Sequence, residues 1–324
     1  MKKIFNFTIF LSFFLFLSAC NNNIYNNENE LTLIRLAEVV RSVFYAPQYI
    51  AIELGFFEDE GIEILLNTAN GADRAMVSLI ANEADIGLMG TEAAIYVFQE
   101  GRADHAIIFS QLTQRAGNFL ISREYIENFT WDMVLNKTII GGRIGGMPQM
   151  VLEYILYNNS IIPGYNIEII TNLDFTTTAG AFISGIGDFT VEFDPTALSI
   201  EMAGHGYVVS AIANYTDNIP YTVFMANRSF LDNNEYLVDG FVRAIDRAIK
   251  WLHDNSSYYI ANVISNFFPY NSIEELEIII ERYKLYSIWG ENSNVDIGGF
   301  YLFQNIMKFG GELFEIVDHN YIIR

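Results

Sequence analysis

Four short stretches gather the residue types that could hold a small molecule. The first, residues 41–45, puts Arg41 and Ser42 ahead of two rings, Phe44 and Tyr45. The second is Gly90-Thr91-Glu92. The third is Arg143-Ile144-Gly145-Gly146-Met147, just before Pro148. The fourth is Glu192-Phe193-Asp194, just before Pro195. A carboxylate accepts hydrogen bonds from an amine, an arginine pairs with an anionic oxygen, and a ring offers broad apolar contact. These are means of binding.

Bond-making chemistry has much less support. His105, His205, His253 and His319 are scattered and show no metal-ligand spacing. No G-x-S-x-G is present. Gly141, Gly142, Gly145 and Gly146 do not form G-x-G-x-x-G, so no nucleotide fingerprint is read there. Cys20 is the single cysteine, which leaves neither a disulfide framework nor a thiolate metal site. No metal and no cofactor is expected. The net charge of −21 opposes nucleic acid as a partner, since phosphate contacts need clustered Lys and Arg.

All four stretches fall where a predicted strand hands over to a helix. The pattern predicts strands over 36–40, 62–66, 83–90, 106–111, 138–142, 165–171 and 187–193. After the first, Pro47 suits the opening turn of a helix, and Gly55 can take the left-handed cap that ends it. Strand, turn and helix recur at Gly90, at Met147-Pro148 and at Asp194-Pro195. In open α/β sheets, ligands gather at the carboxyl ends of strands. Each candidate keeps a plainer alternative. Asp73 either complements a helix dipole or meets a ligand. Glu92 either complements the next dipole or holds an amino group. Thr91 and Asp194 suit helix capping. The polar run 111–118, with Gln114 and Arg115, reads as a crossing between lobes or as a solvated loop. After about residue 232 the pattern is helical, with a capping box at Ser272 and Glu275, and is read as packing and outer surface.

The chain opens with Lys2 and Lys3, an apolar segment over 4–17, and Leu17-Ser18-Ala19-Cys20. The segment has the length of a signal-peptide core and is short for a membrane span. Residues 1–19 are read as a lipoprotein signal and Cys20 as the lipidated residue. Residues 20–30, rich in asparagine, are read as a tether. Some 300 further residues exceed a single core, so two lobes are expected.

The chain resembles the solute-binding proteins of bacterial ABC importers, in the group that binds nitrate, sulfonates, taurine and thiamine-pyrimidine precursors. The resemblance rests on Tyr45-Ala46-Pro47 through Ala51, on the GFFEDEGIEI stretch from Gly55, on Asn82-Glu83-Ala84-Asp85-Ile86-Gly87, and on the Gly-rich turn before Met147-Pro148. It runs from about Leu33 to Gly311. It implies an α/β, two-lobed periplasmic-binding-protein-like fold of type II, with two crossings and a ligand cleft between the lobes. Lobe one would comprise 31–113 and 222–324, and lobe two 114–221. The family's site positions map onto Ser42, Phe44 and Tyr45, onto Gly90, Thr91 and Glu92, onto Gly145, Gly146 and Met147, and onto Glu192, Phe193 and Asp194. Arg115 and Tyr221 join them at the two crossings. The implied partners are a small-molecule ligand, an ABC permease with its ATPase, and a membrane reached through the lipid anchor. A monomer on the outer face of the cell membrane is expected.

Two ligand chemistries follow from these positions. Phe44, Tyr45, Phe193 and Tyr221 could sandwich a flat ring, with Glu92, Glu192 or Asp194 accepting from its amine, which favours a thiamine-precursor pyrimidine or a similar nitrogen heterocycle. Arg41, Arg115 and Arg143 could instead hold a sulfonate or carboxylate. An alternative of another class is a biosynthetic enzyme for the thiamine pyrimidine. Fungal enzymes of the same family carry a cysteine-rich motif for that task, which this chain lacks.

Overall fold

The computed structural model describes residues 31–324. The signal segment, Cys20 and the tether lie outside the described residues. The chain begins with β1 (Thr32–Glu38), a tight 3-10 turn (Val43–Tyr45) and α1 (Ala46–Glu53), with Pro47 in the first helical turn. Then come β2 (Ile62–Thr68), α2 (Ala72–Ile80), β3 (Ile86–Gly90), α3 (Thr91–Gln99) and β4 (Ala106–Thr113). A second series holds β5 (Asn118–Ser122), β6 (Thr138–Ile140), α4 (Met147–Asn158), β7 (Glu168–Ile170), α5 (Thr178–Ile183), β8 (Phe189–Phe193), α6 (Thr196–Met202) and β9 (Tyr207–Ala211). The chain returns through β10 (Thr222–Asn227). It finishes with α7 (Arg228–Asn233), α8 (Glu235–Asp254), α9 (Ser257–Ile264), α10 (Ile273–Leu285), α11 (Ile297–Phe309) and α12 (His319–Ile322).

Two five-stranded sheets result, ordered β2-β1-β3-β10-β4 and β7-β6-β8-β5-β9. β1 runs parallel to β2 and β3, and β6 parallel to β7 and β8. One strand in each sheet runs against its neighbours: β10 pairs antiparallel with β3 and β4, and β5 with β8 and β9. The chain leaves the first sheet after Thr113 and re-enters it at Thr222. Each sheet with its helices forms one lobe of the expected two-lobed α/β fold.

Strand alternation decides what packs on each face of the first sheet. Along β10, Val223 and Met225 join an alanine-rich cluster with Ala75, Met76, Ala93 and Val97 of α2 and α3. Phe224, between them, meets Phe241 of α8 on the opposite face, ring centroids 4.9 Å apart. Burying a ring of this kind contributes about 1.5–3 kcal/mol.

Two of the stretches that carry the family resemblance, residues 55–64 and 82–87, turn out to be scaffold. Phe57 packs on Phe241 at 4.8 Å, Glu60 pairs with Arg243 of α8 at 2.6 Å, and Gly61 takes the left-handed conformation that starts β2. Asp85 accepts from the backbone N–H and the guanidinium of Arg35, fastening β3's approach to β1.

The C-terminal helices differ from the sequence reading. The pattern over 232–254 is broken at Asn234 into α7 and α8. Ser272 and Glu275 do form a capping box, and the helix it opens, α10, runs to Leu285. These helices are more than outer surface, because α10 reaches both lobes. Tyr283 is fully buried against Phe44 and Phe119, and Arg282 pairs with Asp194 and Glu201. An amphipathic pattern shows which face is buried and not what it is buried against.

Candidate functional site

A cavity of about 520 Å³ lies where the two lobes meet. From the first lobe it is walled by Phe44 and Tyr45 after β1, by Gly90 and Glu92 at the junction of β3 and α3, and by one side of α2 and α3. From the second it is walled by residues 143–148 before and within α4, by Phe175, and by Phe193 at the end of β8. Tyr221 closes it from the second crossing. Nine residues expected at a site therefore line one space: Phe44, Tyr45, Gly90, Glu92, Gly145, Gly146, Met147, Phe193 and Tyr221.

Glu92 is the polar centre. It is only 4 % exposed. Its Oε1 accepts the backbone N–H of Met147, 3.2 Å away in the other lobe. Its Oε2 is buried and has no hydrogen-bond partner among the described residues. Burial pushes its pKa up to about 7, and its own and Met147's N–H groups only partly oppose this. Three phenols surround it. Tyr45, Tyr96 and Tyr221 are all raised from their ordinary values, first by burial, with the charge of Glu92 contributing to each. The buried Tyr221 hydroxyl also lacks a partner. An unpaired buried polar group costs about 1–3 kcal/mol, so the pair is poised to accept and donate to something placed in the cavity.

The four rings do not form a parallel slot. Phe44 lies 5.6 Å from Tyr45 and 5.3 Å from Phe193, tilted by 40° and 45°, and it meets Tyr221 at 85°. They pack on one another as a continuous apolar floor. Gly117 lets Phe44 sit there, because a Cβ at that position would fall 2.2 Å from the ring.

The other candidates support this floor and do not line the cavity. Ser42 accepts from the N–H of Phe44 and donates to the carbonyl of Asp194 at 2.6 Å, joining the strand ends of the two lobes. The Thr91 hydroxyl donates to the Pro220 carbonyl. Arg115 donates to Asn218 at 2.8 Å, tying one crossing to the other. Glu192 faces away from Phe193, as alternation along β8 requires, and accepts from Thr178 and Thr190. Burial raises it to about 7. Asp194 accepts from the N–H of Leu198 in α6, and burial raises it to about 6 against the pull of Arg282.

The arginines are engaged elsewhere. Arg41 pairs with the buried Glu38 at 3.1 Å and lies over the ring of Tyr49. Arg143 stands at the cavity's rim and grips Asp73 of the opposite lobe with two hydrogen bonds, at 2.9 and 3.3 Å. Asp174 stands 3.7 Å from Arg143 and 3.9 Å from Arg74, extending the cluster. At the opening of α4, the N–H of Gly145 already meets Gln149 and that of Met147 meets Glu92.

Sequence reasoning passed over Tyr96 and Glu312. Tyr96 donates to the Gly145 carbonyl across the cleft at 3.0 Å and approaches Glu312 at 3.5 Å. The signal for Tyr96 was present: it stands four residues after Glu92 and shares its helix face. Glu312 arrives from the far C-terminus, and no local pattern marks it.

Comparisons with known proteins agree with this architecture. The model of the NMT1-like family matches residues 29–265. A binding protein of Bacillus subtilis (strain 168), YtlA, is 40 % identical over 316 residues, covering 98 % of this chain and 92 % of its own. Among solved structures, the alkanesulfonate-binding protein SsuA of Xanthomonas axonopodis pv. citri, bound to MOPS, superposes with a TM-score of 0.70 at 14 % identity. It covers 91 % of this chain and 99 % of its own. The nitrate-binding protein NrtA of Synechocystis PCC 6803 gives 0.71 at 16 % identity, covering 91 % and 86 %. At such identities the structures speak for the fold, and the sequence match speaks for kinship. With its two sheets, two crossings and a cavity at the strand ends, the chain belongs to the NMT1-like family and has the two-lobed fold of periplasmic solute-binding proteins.

Proposed function

We propose that this solute-binding protein serves an ABC importer and captures a neutral or protonated nitrogen compound in the cavity between its lobes. The observation that carries the reading is Glu92, a carboxyl group buried in the cavity wall with one oxygen unpartnered. A ligand N–H would donate to that oxygen, and the Tyr221 hydroxyl would meet a second polar atom. The charge around the cavity supports the same sign. Asp73, Glu92, Glu100 and Glu312 line it against a single cation, Arg143, which Asp73 already holds. Such a lining favours cations over anions.

A thiamine-precursor pyrimidine or a related nitrogen heterocycle fits this reading, lying edge-on over the aromatic floor. The second reading, a sulfonate or other anion, is favoured by what the structural neighbours SsuA and NrtA are named for. Isothermal calorimetry with aminopyrimidines, taurine, an alkanesulfonate and nitrate separates the two. Binding of an aminopyrimidine that weakens in Glu92→Gln is expected. Binding of only the anions would overturn the proposal. A family enzyme would instead convert a pyrimidine without added partners, which mass spectrometry detects.

We extend the proposal to the lobes and the anchor. Residues 31–113 and 222–324 form one lobe and 114–221 the other, with α10 spanning them. Cys20, once lipidated, would hold the protein at the outer face of the membrane beside a permease and its ATPase. Cys20→Ser should release the protein into the soluble fraction, and continued membrane association would contradict the anchor.

A further inference from the structure

Two helical stripes border one slot of the cavity. On α2 the stripe is Met76, Val77 and Ile80, and on α3 it is Ala93 and Val97. Packed helices ordinarily close such stripes onto one another. Here both stripes also border the cavity that holds Glu92. Val77, at the slot's edge, is 63 % exposed, an unusual setting for a branched apolar side chain on a helix that otherwise packs well. The stripe covers about 6 Å at 1.5 Å per residue. A cavity of about 520 Å³ with one polar end has room beyond a single ring.

We infer that the ligand is an amphiphile, with its nitrogen donor at Glu92 and an apolar tail lying in the slot between α2 and α3. This rests on the reading that Glu92 receives a nitrogen donor. The two ends of the space differ in kind. At Glu92 and Tyr221 buried polar atoms lack partners, whereas Met76, Val77, Ile80, Ala93 and Val97 offer only apolar contact. Water in an apolar slot is poorly held, and its replacement by methylene groups is favourable. The acids lining the cavity suit a protonated head and would repel a carboxylate or sulfonate.

The test is calorimetry on the mature chain with n-butylamine, n-octylamine and n-octanesulfonate, repeated on Glu92→Gln and Val77→Gln. Burying each methylene strengthens binding about fourfold, so octylamine, four methylenes longer, should bind about 250-fold more tightly than butylamine. In Val77→Gln that ratio should fall below about tenfold, because a polar side chain then stands in the slot. Glu92→Gln should weaken both amines together. Equal binding of the two amines, or a ratio unchanged in Val77→Gln, would overturn the tail assignment while leaving the nitrogen donor in place. Octanesulfonate binding as tightly as octylamine would overturn the nitrogen reading itself. Failure of both amines to bind would overturn the inference.

Discussion

Glu92 and Met147 belong to opposite lobes, yet the carboxyl Oε1 of one accepts the backbone N–H of the other at 3.2 Å. The group offered to a ligand is therefore also a clasp between the lobes. One oxygen holds the second lobe and the other is buried in the cavity wall without a partner among the described residues. On the proposed reading, recognition and closure share a single side chain.

This arrangement makes stability depend on pH in a stated direction. In the folded chain Glu92 and Glu192 keep their protons up to about pH 7, and Asp194 up to about 6, because all three are buried. Unfolded, the same groups ionise near 4. The ligand-free protein should thus be most stable below about pH 4.5, lose stability as the pH rises to about 7, and level off beyond it. Glu92 alone accounts for on the order of 3 kcal/mol across that window. In Glu92→Gln the loss should shrink, leaving the variant more stable than the parent at pH 8 and close to it at pH 4.5. Urea midpoints across the range check this, and parallel profiles would refute it.

Arg282 is the cation facing the fully buried Asp194, at 3.5 Å. Removing one member of a buried pair leaves a charge without compensation, at about 3–5 kcal/mol. The Arg–Asp distance is long and Asp194 already leans toward protonation, so Arg282→Ala should cost about 2–3 kcal/mol at pH 8. At pH 5 Asp194 carries its proton and the cost should largely vanish. A cost equal at both pH values would place the role of Arg282 in packing over Phe119 instead.

Asp73 and Arg143 bridge the cavity's mouth while partly exposed. Exposed pairs contribute about 0–1 kcal/mol, and salt screens them. Asp73→Asn should therefore leave the melting temperature within a degree or two of the parent. It should still lengthen the distance between spin labels on α2 and α5 in low salt. At 1 M salt the parent should show the same lengthening. Identical distances in both proteins would mean that the pair does not hold the mouth.

Gly117 marks where the aromatic floor is tightest. A methyl group there would fall 2.2 Å from two carbons of the Phe44 ring. Gly117→Ala should destabilise the protein by about 1–3 kcal/mol through overpacking. Adding Phe44→Leu should recover part of that loss, giving a measurable coupling between the two sites. Strict additivity would show that Phe44 moves freely.

What the sequence disclosed follows from what is local. Strand, turn and helix leave marks within a dozen residues, so Tyr45, Gly90, Glu92, Met147 and Phe193 could be placed at strand ends before any coordinates. The two-lobed fold followed from kinship in the same stretches. Relations between distant segments left no such trace. Asp73 and Arg143 stand 70 residues apart, and either reads alone as a helix-dipole charge or a ligand contact. Glu312 reaches Tyr96 from 216 residues away. Met76 and Ile80 were legible as an apolar helix face, but an apolar face looks the same whether it meets a neighbour or borders an open slot. Tyr283 was hidden in a helix whose pattern spoke only of burial.

The two crossings begin from adjacent strands, and the Thr113 and Thr222 hydroxyls at their roots lie 2.6 Å apart. The backbone N–H of Tyr221 meets the Thr113 carbonyl, and that of Ile219 meets the Gln114 carbonyl. Two links fastened side by side behave as a single pivot. Twisting one lobe on the other, or sliding it sideways, would break these bonds, whereas a rotation about the line they define would keep them. The motion left to the molecule is then one angle. A partner at the membrane that touches both lobes would read that angle alone, and so would learn whether the cavity is filled without contacting what fills it.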